Sequence, residues 1–246
     1  MSAFERSRWR SPRLEREVTL CRWGYFGQPV LVFPTAGGDA EEIERWQMIR
    51  ALTPLLAAGR IKVYSCDSVA GQAFFSDGSL EYRMRVMNQF QEYIRHEVVP
   101  AIESDCRTDG IPIWSAGASI GALHATSMVC RYPDVFHRAL AMSGTFDILR
   151  LIGAERYTHD YYVSVPYRFV PKLPEGPHLD LLRQRFILLA SGEGRAEAIG
   201  ESWAMARVLG EQRVPNWVDS WGTDWHHDWP TWRAMMPKYL GEWTRR

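Results

Sequence analysis

The amino-acid sequence predicts a single α/β domain built on a doubly wound, mostly parallel β-sheet. Its 246 residues, 46% of them hydrophobic, are enough for one sizeable buried core. Short continuous apolar segments alternate with longer segments in which apolar residues recur every three or four positions. The first pattern is typical of strands buried on both faces, and the second is typical of the helices that cover them. No repeat or low-complexity linker marks a boundary, so residues 1–246 are expected to form one domain.

The first half of the chain begins this alternation. Residues 30–33 are an apolar segment closed by Pro34, which is typical of a buried strand. Ile43, Trp46 and Ile49 recur at helical spacing and indicate one buried face of a helix. The elements predicted in this half are strands at 14–22, 30–33 and 61–65 and helices at 40–58 and 80–105.

The second half continues the pattern after an interruption. The segment 145–184 is rich in proline and tyrosine, so we expect an irregular, cap-like insertion there. Because proline lacks an amide hydrogen, a break or kink is expected at Pro237 in the last helix. The elements predicted in this half are strands at 111–115, 139–142, 186–190 and 214–220, and helices at 119–131, at 198–210 and from Pro230 onward.

Composition limits the binding partners and the cellular location that we expect for the protein. The chain carries 29 basic and 29 acidic residues, so no net positive field attracts nucleic acid. No apolar run approaches the roughly 18 to 20 residues that cross a bilayer, and the charges in residues 1–10 are unlike a secretory signal. The four cysteines show no CxxC spacing, which is typical of a reduced compartment. We therefore expect a cytoplasmic protein without membrane span, nucleic acid, cofactor or metal; homo-oligomer formation stays open.

The candidate nucleophile is Ser119, in the GxSxG pentad GASIG at residues 117–121. The pentad lies where the strand at 111–115 meets the following helix. A serine on such a tight turn has a strained backbone, and glycines two residues away on either side let strand and helix pass closely. The helix amino terminus also favours developing negative charge. The competing interpretation is that Ser119 only caps the helix.

A candidate base lies near the end of the chain, because a serine hydroxyl needs a partner that removes its proton. The segment WHHDWPTW at 225–232 precedes the last helix, and loops at the carboxyl edge of such a sheet can reach the nucleophile. Adjacent histidines usually point in different directions, so we select His227 as the base and Asp228 as the helix N-cap. A metal site in HHD is the rival interpretation, but a catalytic zinc needs a third ligand.

The acid that orients the histidine is less clearly marked. In the order serine, acid, histidine it should follow the strand at 186–190, and the loop there contains no aspartate. We favour Glu197 and keep Glu193, Glu201 and Asp147 as alternatives. The same loop reads GEGRAE, but it lacks the third glycine of a phosphate-binding loop and its glutamates would repel a phosphate.

Two backbone amides are expected to form an oxyanion hole. One belongs to Ile120, the residue after the nucleophile, and the other to the loop PTAGG after the strand at 30–33. Within that loop we choose Ala36, with Thr35 as the next candidate; the competing interpretation is a plain glycine turn. Trp225 and Trp229 flank the base and either wall an acyl pocket or simply pack.

These segments together resemble the Putative esterase family of α/β-hydrolases, the branch with esterase D, the feruloyl esterases and the mycolyltransferases. The resemblance covers nearly the whole chain and rests on VLVFPTAGG, GASIG, SGTFD, SGEG and HDWPTW, the last being similar to the family's HxWxxW ending. It implies the α/β-hydrolase fold, with Ser119 as nucleophile, His227 as base and oxyanion amides near Ala36 and at Ile120. Many members have an aspartate soon after the SG of the acid loop, where this chain has Glu193.

The predicted function is therefore that of a cofactor-free serine esterase. Ser119 is expected to attack a small-molecule ester and form an acyl-enzyme, with the imidazole of His227 moving the proton. An acyltransferase with the same acyl-enzyme and an alcohol acceptor is one alternative. A non-catalytic binding protein on a hydrolase scaffold is another, because the usual aspartate is missing and fold does not guarantee function.

Overall fold

The strands of the computed structural model, which describes residues 4–151 and 154–245, form one eight-stranded sheet within those ranges. Its order is β1-β2-β4-β3-β5-β6-β7-β8. The β1–β2 and β2–β4 pairs are antiparallel, and every other neighbouring pair is parallel. The strands are β1 (Phe4–Ser11), β2 (Arg16–Trp23), β3 (Gln28–Phe33), β4 (Ile61–Cys66), β5 (Ile113–Ala118), β6 (Phe136–Met142), β7 (Phe186–Ser191) and β8 (Asn216–Ser220).

Helices cover both faces of this sheet. A π-helical turn at Ile94–Val98 joins two helices into one continuous helical path, and a 3₁₀ turn spans Val170–Lys172. The helices are α1 (Glu42–Arg45), α2 (Met48–Ala57), α3 (Val69–Phe74), α4 (Leu80–Tyr93), α5 (Val99–Cys106), α6 (Ile120–Arg131), α7 (Ile148–Leu151), α8 (His159–Ser164), α9 (Pro166–Phe169), α10 (Pro177–Leu182), α11 (Ile199–Glu211) and α12 (Trp229–Trp243). None of the helices in the described ranges is long and apolar enough to cross a membrane.

Two apolar cores confirm the prediction of a mostly parallel sheet covered on both faces. Apolar side chains of α1, α2 and α12 pack on one face, and those of α4, α5, α6 and α11 pack on the other. The strands β3 and β4 between them are buried along almost their whole length, as the continuous apolar run of β3 predicts. Because β3 and β5 to β8 run in parallel, the loops after their carboxyl ends meet at one edge of the sheet.

Several predicted elements differ from the structure. The helix predicted at 40–58 is two helices, separated at Gln47, whose φ is 61°. Trp46, assigned to its buried face, is half-exposed there. The segment 145–184 is not irregular throughout, since Pro166 and Pro177 each start a short helix at the position where a missing amide hydrogen costs nothing. A break or kink is predicted at Pro237, and the break does not occur: α12 continues through the proline, with buried residues before and after it.

The first strand, β1, was not predicted. It is an edge strand, and its residues 4–8 are exposed, so it carries neither an apolar run nor a buried alternating pattern. Its arginines Arg6, Arg8 and Arg10 occur at every second position, on one face of the strand. Backbone pairing with β2, from Phe4 opposite Trp23 to Ser11 opposite Arg16, holds it in place.

Candidate active site

Ser119 lies between β5 and α6, at the edge of the sheet where the parallel strands end. Its φ of 58° and ψ of −122° place it in the strained backbone region expected of a strand-to-helix turn. A Cβ at Gly121 would lie 2.5 Å from the carbonyl oxygen of Phe33, and a Cβ at Gly117 would collide with the backbone of Gly121. The pentad therefore needs both glycines for β3, β5 and α6 to pack.

The backbone of Ser119 is tied to the loop that follows β6. Its amide donates to the carbonyl oxygen of Met142 at 3.0 Å, and its own carbonyl accepts from the amide of Thr145 at 3.4 Å. The side chain is partly exposed. Its hydroxyl has no hydrogen-bond partner among the described residues, so the structure does not join it directly to His227.

His227 lies in the loop before α12, with its side chain 24% exposed. Its Nδ1 is 3.5 Å from Oε2 of Glu197, which is ion-pair distance and longer than a typical N–H···O hydrogen bond. The imidazole packs edge-on against the indole of Trp232, with ring centroids 5.2 Å apart. The neighbouring His226 points elsewhere, because its Nδ1 accepts from the amide of Arg195 at 3.0 Å. The two adjacent histidines thus have different partners, as expected.

Glu197 presents a carboxylate with no exposed side-chain surface. Its Oε1 accepts from the hydroxyl of Ser143 at 2.6 Å, and its Oε2 accepts from the hydroxyl of Ser191 at 3.3 Å. Burial disfavours the charged carboxylate, but the hydrogen bonds from His227 and Ser143 outweigh burial and hold the pKa of Glu197 below its usual value. Glu197 therefore stays ionised at neutral pH beside the imidazole.

The other candidate acids have different partners. Glu193 is exposed and accepts a hydrogen bond from the hydroxyl of Ser220 on β8. Glu201 accepts from the amide of Phe146 at 3.4 Å. Asp147 is buried in a separate cluster, paired with Arg168 and accepting from the hydroxyl of Tyr161 at 3.0 Å. Among the four carboxylates, Glu197 is the one that the structure places beside His227.

Hydrogen bonding in the loop after β3 distinguishes Thr35 from Ala36 as the candidate for the second oxyanion amide. The amide of Thr35 donates to Oε2 of Glu42 at 2.8 Å, and the Thr35 hydroxyl donates to Oε1 at 2.6 Å, so the Thr35 amide is occupied. The amide of Ala36 has no hydrogen-bond partner in the described part of the chain. The amide of Ile120 is the first of α6 and lacks an intrahelical acceptor. Ala36 also packs against the apolar cluster that contains Ile120.

Some residues near the site escape sequence reasoning. Ser143, Trp232 and Glu42 contact the candidate residues through side-chain hydrogen bonds or ring packing. Ser143 begins the SGTFD segment and Trp232 ends the HxWxxW pattern, but neither pattern indicates what these side chains contact, and no motif contains Glu42. Trp229 stacks against Trp46 and packs edge-on against Trp232, with centroids 5.8 and 5.3 Å apart, which favours packing over an open pocket wall. Within the described ranges, no group of three His, Cys, Asp or Glu side chains could hold a metal ion.

Comparison with known proteins identifies both a family and a fold. The model of the family described as Putative esterase matches residues 81–242, a range that includes Ser119, Glu197 and His227. No curated protein is detectably similar to the chain in sequence. A solved ferulic acid esterase has a TM-score of 0.76 at 16% identity, with 100% of this chain and 98% of that chain covered.

Two bacterial hydrolases are similar over the same extent. The S-formylglutathione hydrolase FrmB from Staphylococcus aureus has a TM-score of 0.70 at 13% identity, with 100% of both chains covered. FphF, a fluorophosphonate-binding serine hydrolase from the same organism, has a TM-score of 0.71 at 14% identity, with 100% and 99% covered. Likeness at these identities concerns the fold, and it confirms the α/β-hydrolase fold that the sequence resemblance implies.

Proposed function

Since this chain belongs to the Putative esterase family and is a carboxylic ester hydrolase, we propose that it cleaves esters through an acyl-enzyme on Ser119. The observation that carries the proposal is the contact between the buried carboxylate of Glu197 and Nδ1 of His227. An ionised carboxylate at Nδ1 favours the tautomer with a proton on Nδ1 and leaves Nε2 free to accept the proton of Ser119. Glu197 thus takes the role that an aspartate has in many family members.

The proposed reaction has two steps, acylation of Ser119 and hydrolysis of the acyl-enzyme. Nε2 of His227 takes the hydroxyl proton while Ser119 Oγ bonds to the acyl carbon, and the amides of Ala36 and Ile120 donate to the oxyanion. The imidazolium, stabilised by Glu197, then gives its proton to the leaving alcohol as the ester C–O bond breaks. Water repeats the attack on the acyl-enzyme, releases the acid and restores the Ser119 hydroxyl.

A short helical segment is proposed to shape the acyl site. Side chains from α7 and α8, among them Ile148, Leu149 and Tyr161, form an apolar cluster with Ile120 and Leu123 at the start of α6. This cluster adjoins the loop of Ala36, so it lies next to both proposed oxyanion amides. We propose that the segment 145–184 acts as a cap whose apolar side chains select the acyl group. The cytoplasmic location, the absence of nucleic-acid binding and the oligomeric state stay predictions.

The proposal is tested by Ser119→Ala on an activated ester such as p-nitrophenyl acetate, with His226→Gln as the matched control. Loss of Ser119 should lower kcat by about 10⁴-fold or more, because nucleophile and base act as one unit. The His226→Gln variant should keep near-normal turnover, because that ring faces Arg195. A fluorophosphonate probe should add one adduct mass to the wild type and none to Ser119→Ala. Unchanged turnover in Ser119→Ala would refute the assignment.

A second measurement separates hydrolysis from acyl transfer. Both routes share the acyl-enzyme, and they differ in whether water or an alcohol attacks it. Products are therefore analysed with increasing concentrations of a competing alcohol such as glycerol. Free acid as the main product supports hydrolysis, whereas an ester of the added alcohol as the main product would assign the acyltransferase reaction.

A further inference from the structure

Four side chains at the active-site edge form a closed ring of contacts. Ser143 follows β6, Glu197 follows β7, His227 follows β8, and Trp232 lies in the first turns of α12. Trp232 Nε1 donates to Ser143 Oγ at 3.0 Å, and Ser143 Oγ donates to Glu197 Oε1 at 2.6 Å. Glu197 Oε2 faces His227 Nδ1, and the His227 ring packs edge-on against the same Trp232. The tryptophan thus contacts His227 directly and is connected to Glu197 through Ser143.

The chemistry of these groups fixes the direction of the hydrogen bonds. An indole N–H can only donate, and an ionised carboxylate can only accept. Ser143 Oγ must therefore accept from Trp232 and give its single proton to Glu197. A hydroxyl that already accepts a hydrogen bond is a stronger donor, so the indole reinforces the bond to the carboxylate.

The backbone holds Ser143 firmly in this position. Its φ is 47°, a left-handed conformation that is rare for residues other than glycine, and it is 3% exposed. The amide of Ser143 donates to the carbonyl oxygen of Ala190 at 2.7 Å, at the end of β7. The preceding residue, Met142, accepts the amide hydrogen of Ser119. One short loop thus connects the nucleophile's turn with the strand that leads to Glu197.

A glutamate needs such an anchor more than an aspartate does. Its carboxylate has one more rotatable bond, so holding one oxygen at a histidine costs more conformational entropy. We propose that Ser143 is a positioning residue for Glu197, oriented by Trp232, so that the acid presents Oε2 to His227. This inference rests on the function proposed above. It adds two residues, Ser143 from the loop after β6 and Trp232 from α12, to the groups that hold the imidazole.

The test compares two substitutions at Ser143, to alanine and to glycine, that differ in backbone strain. Both Ser143→Ala and Ser143→Gly remove the hydroxyl, but glycine adopts the positive φ without penalty and so keeps or improves stability. Both variants should lower kcat by about 10- to 100-fold and leave KM within about twofold. This loss of kcat is smaller than the roughly 10⁴-fold loss possible when a triad carboxylate is disabled. Ser220→Ala removes an exposed serine–carboxylate bond to Glu193 and is the matched control.

A double substitution shows whether Ser143 acts through Glu197. In a Glu197→Gln background, Ser143→Gly should cause less than about a twofold further loss, because an acid already disabled gains nothing from being positioned. Trp232→Phe, which keeps a ring against His227, should lose several-fold alone and add little to Ser143→Gly. Wild-type turnover of Ser143→Gly, or an equal loss in both backgrounds, would overturn the inference. A wild-type chain that neither hydrolyses the ester nor takes the fluorophosphonate would instead overturn the proposed function.

Discussion

At the scale of single residues, the first prediction concerns the negative charge of the buried Glu197 carboxylate. Glu197→Gln keeps the shape of the side chain but removes the charge that we propose stabilises the imidazolium of His227. We expect kcat to fall by about 10³- to 10⁴-fold. Glu193→Gln, at the neighbouring exposed position, should stay within about twofold of the wild type. Steady-state rates with p-nitrophenyl acetate measure both variants, and equal losses in the two would contradict the assignment.

Individual residues also show how far sequence reasoning reaches. A GxSxG pentad between a strand and a helix needs its glycines for close packing, so the pattern itself marks Ser119. The acid has no such pattern, because Glu193, Glu197 and Glu201 all follow β7 and any of them could have faced the histidine. The choice depends on side-chain partners from other elements, such as Ser143. The choice between Thr35 and Ala36 likewise depends on a hydrogen bond from Thr35 to Glu42, which no local sequence pattern indicates.

Among the elements, the loop after β3 and the helix α1 act as one unit through Glu42. This carboxylate is 6% exposed and accepts two hydrogen bonds from Thr35, and burial raises its pKa above the usual value. Glu42→Ala leaves both donors of Thr35 without a partner, so we expect about 1–3 kcal/mol lower stability. The freed loop should also misplace the Ala36 amide and lower kcat by roughly tenfold or more.

The neighbouring residue is the control for that experiment. Glu41 pairs with Arg6 at the surface, and exposed ion pairs contribute little to stability. Glu41→Ala should therefore have near-normal activity and thermal unfolding. Urea unfolding and fluorophosphonate labelling rates distinguish the two variants, and a Glu42→Ala protein that labels as fast as Glu41→Ala would show that the loop does not need its carboxylate.

The elements differ in how well sequence predicts them, for a physical reason. Strands such as β3 and β7 are buried on both faces and need continuous apolar runs, so their sequences are distinctive. The edge strand β1 needs only backbone pairing, and its exposed polar sequence carries no such pattern. Prolines mislead in both directions: Pro166 starts a helix, whereas Pro237 is accommodated inside one because packing on both sides outweighs a lost hydrogen bond.

At the scale of the whole molecule, a histidine buried in the core predicts that acid lowers the free energy of unfolding. His124 in α6 is 1% exposed, lies between Phe33 and Phe90, and has ring nitrogens without a hydrogen-bond partner among the described residues. Burial lowers its pKa from 6.5 to about 3. As the pH falls, His124 therefore binds a proton at a higher pH in the unfolded chain than in the folded chain. Stability is full above about pH 6.5 and falls as the pH drops toward 3, by about 2 kcal/mol between pH 7 and 5 from this group.

Replacing that histidine isolates its contribution. His124→Leu should flatten the dependence of the unfolding free energy on pH between 7 and 5, because leucine cannot bind a proton. His159→Gln, at an exposed position, should keep the dependence of the wild type. Urea unfolding at a series of pH values measures both, and an unchanged slope in His124→Leu would contradict the prediction.

The arginines of β1 have a consequence for how the protein behaves in concentrated solution. The outer backbone of this strand is a template onto which another polypeptide could add by β-pairing. With Arg8 and Arg10 exposed along it, a second copy approaching in register would bring like charges together. We therefore expect this border of the sheet to resist fibril-like growth, and the polar sequence that made the strand hard to predict is the source of that resistance.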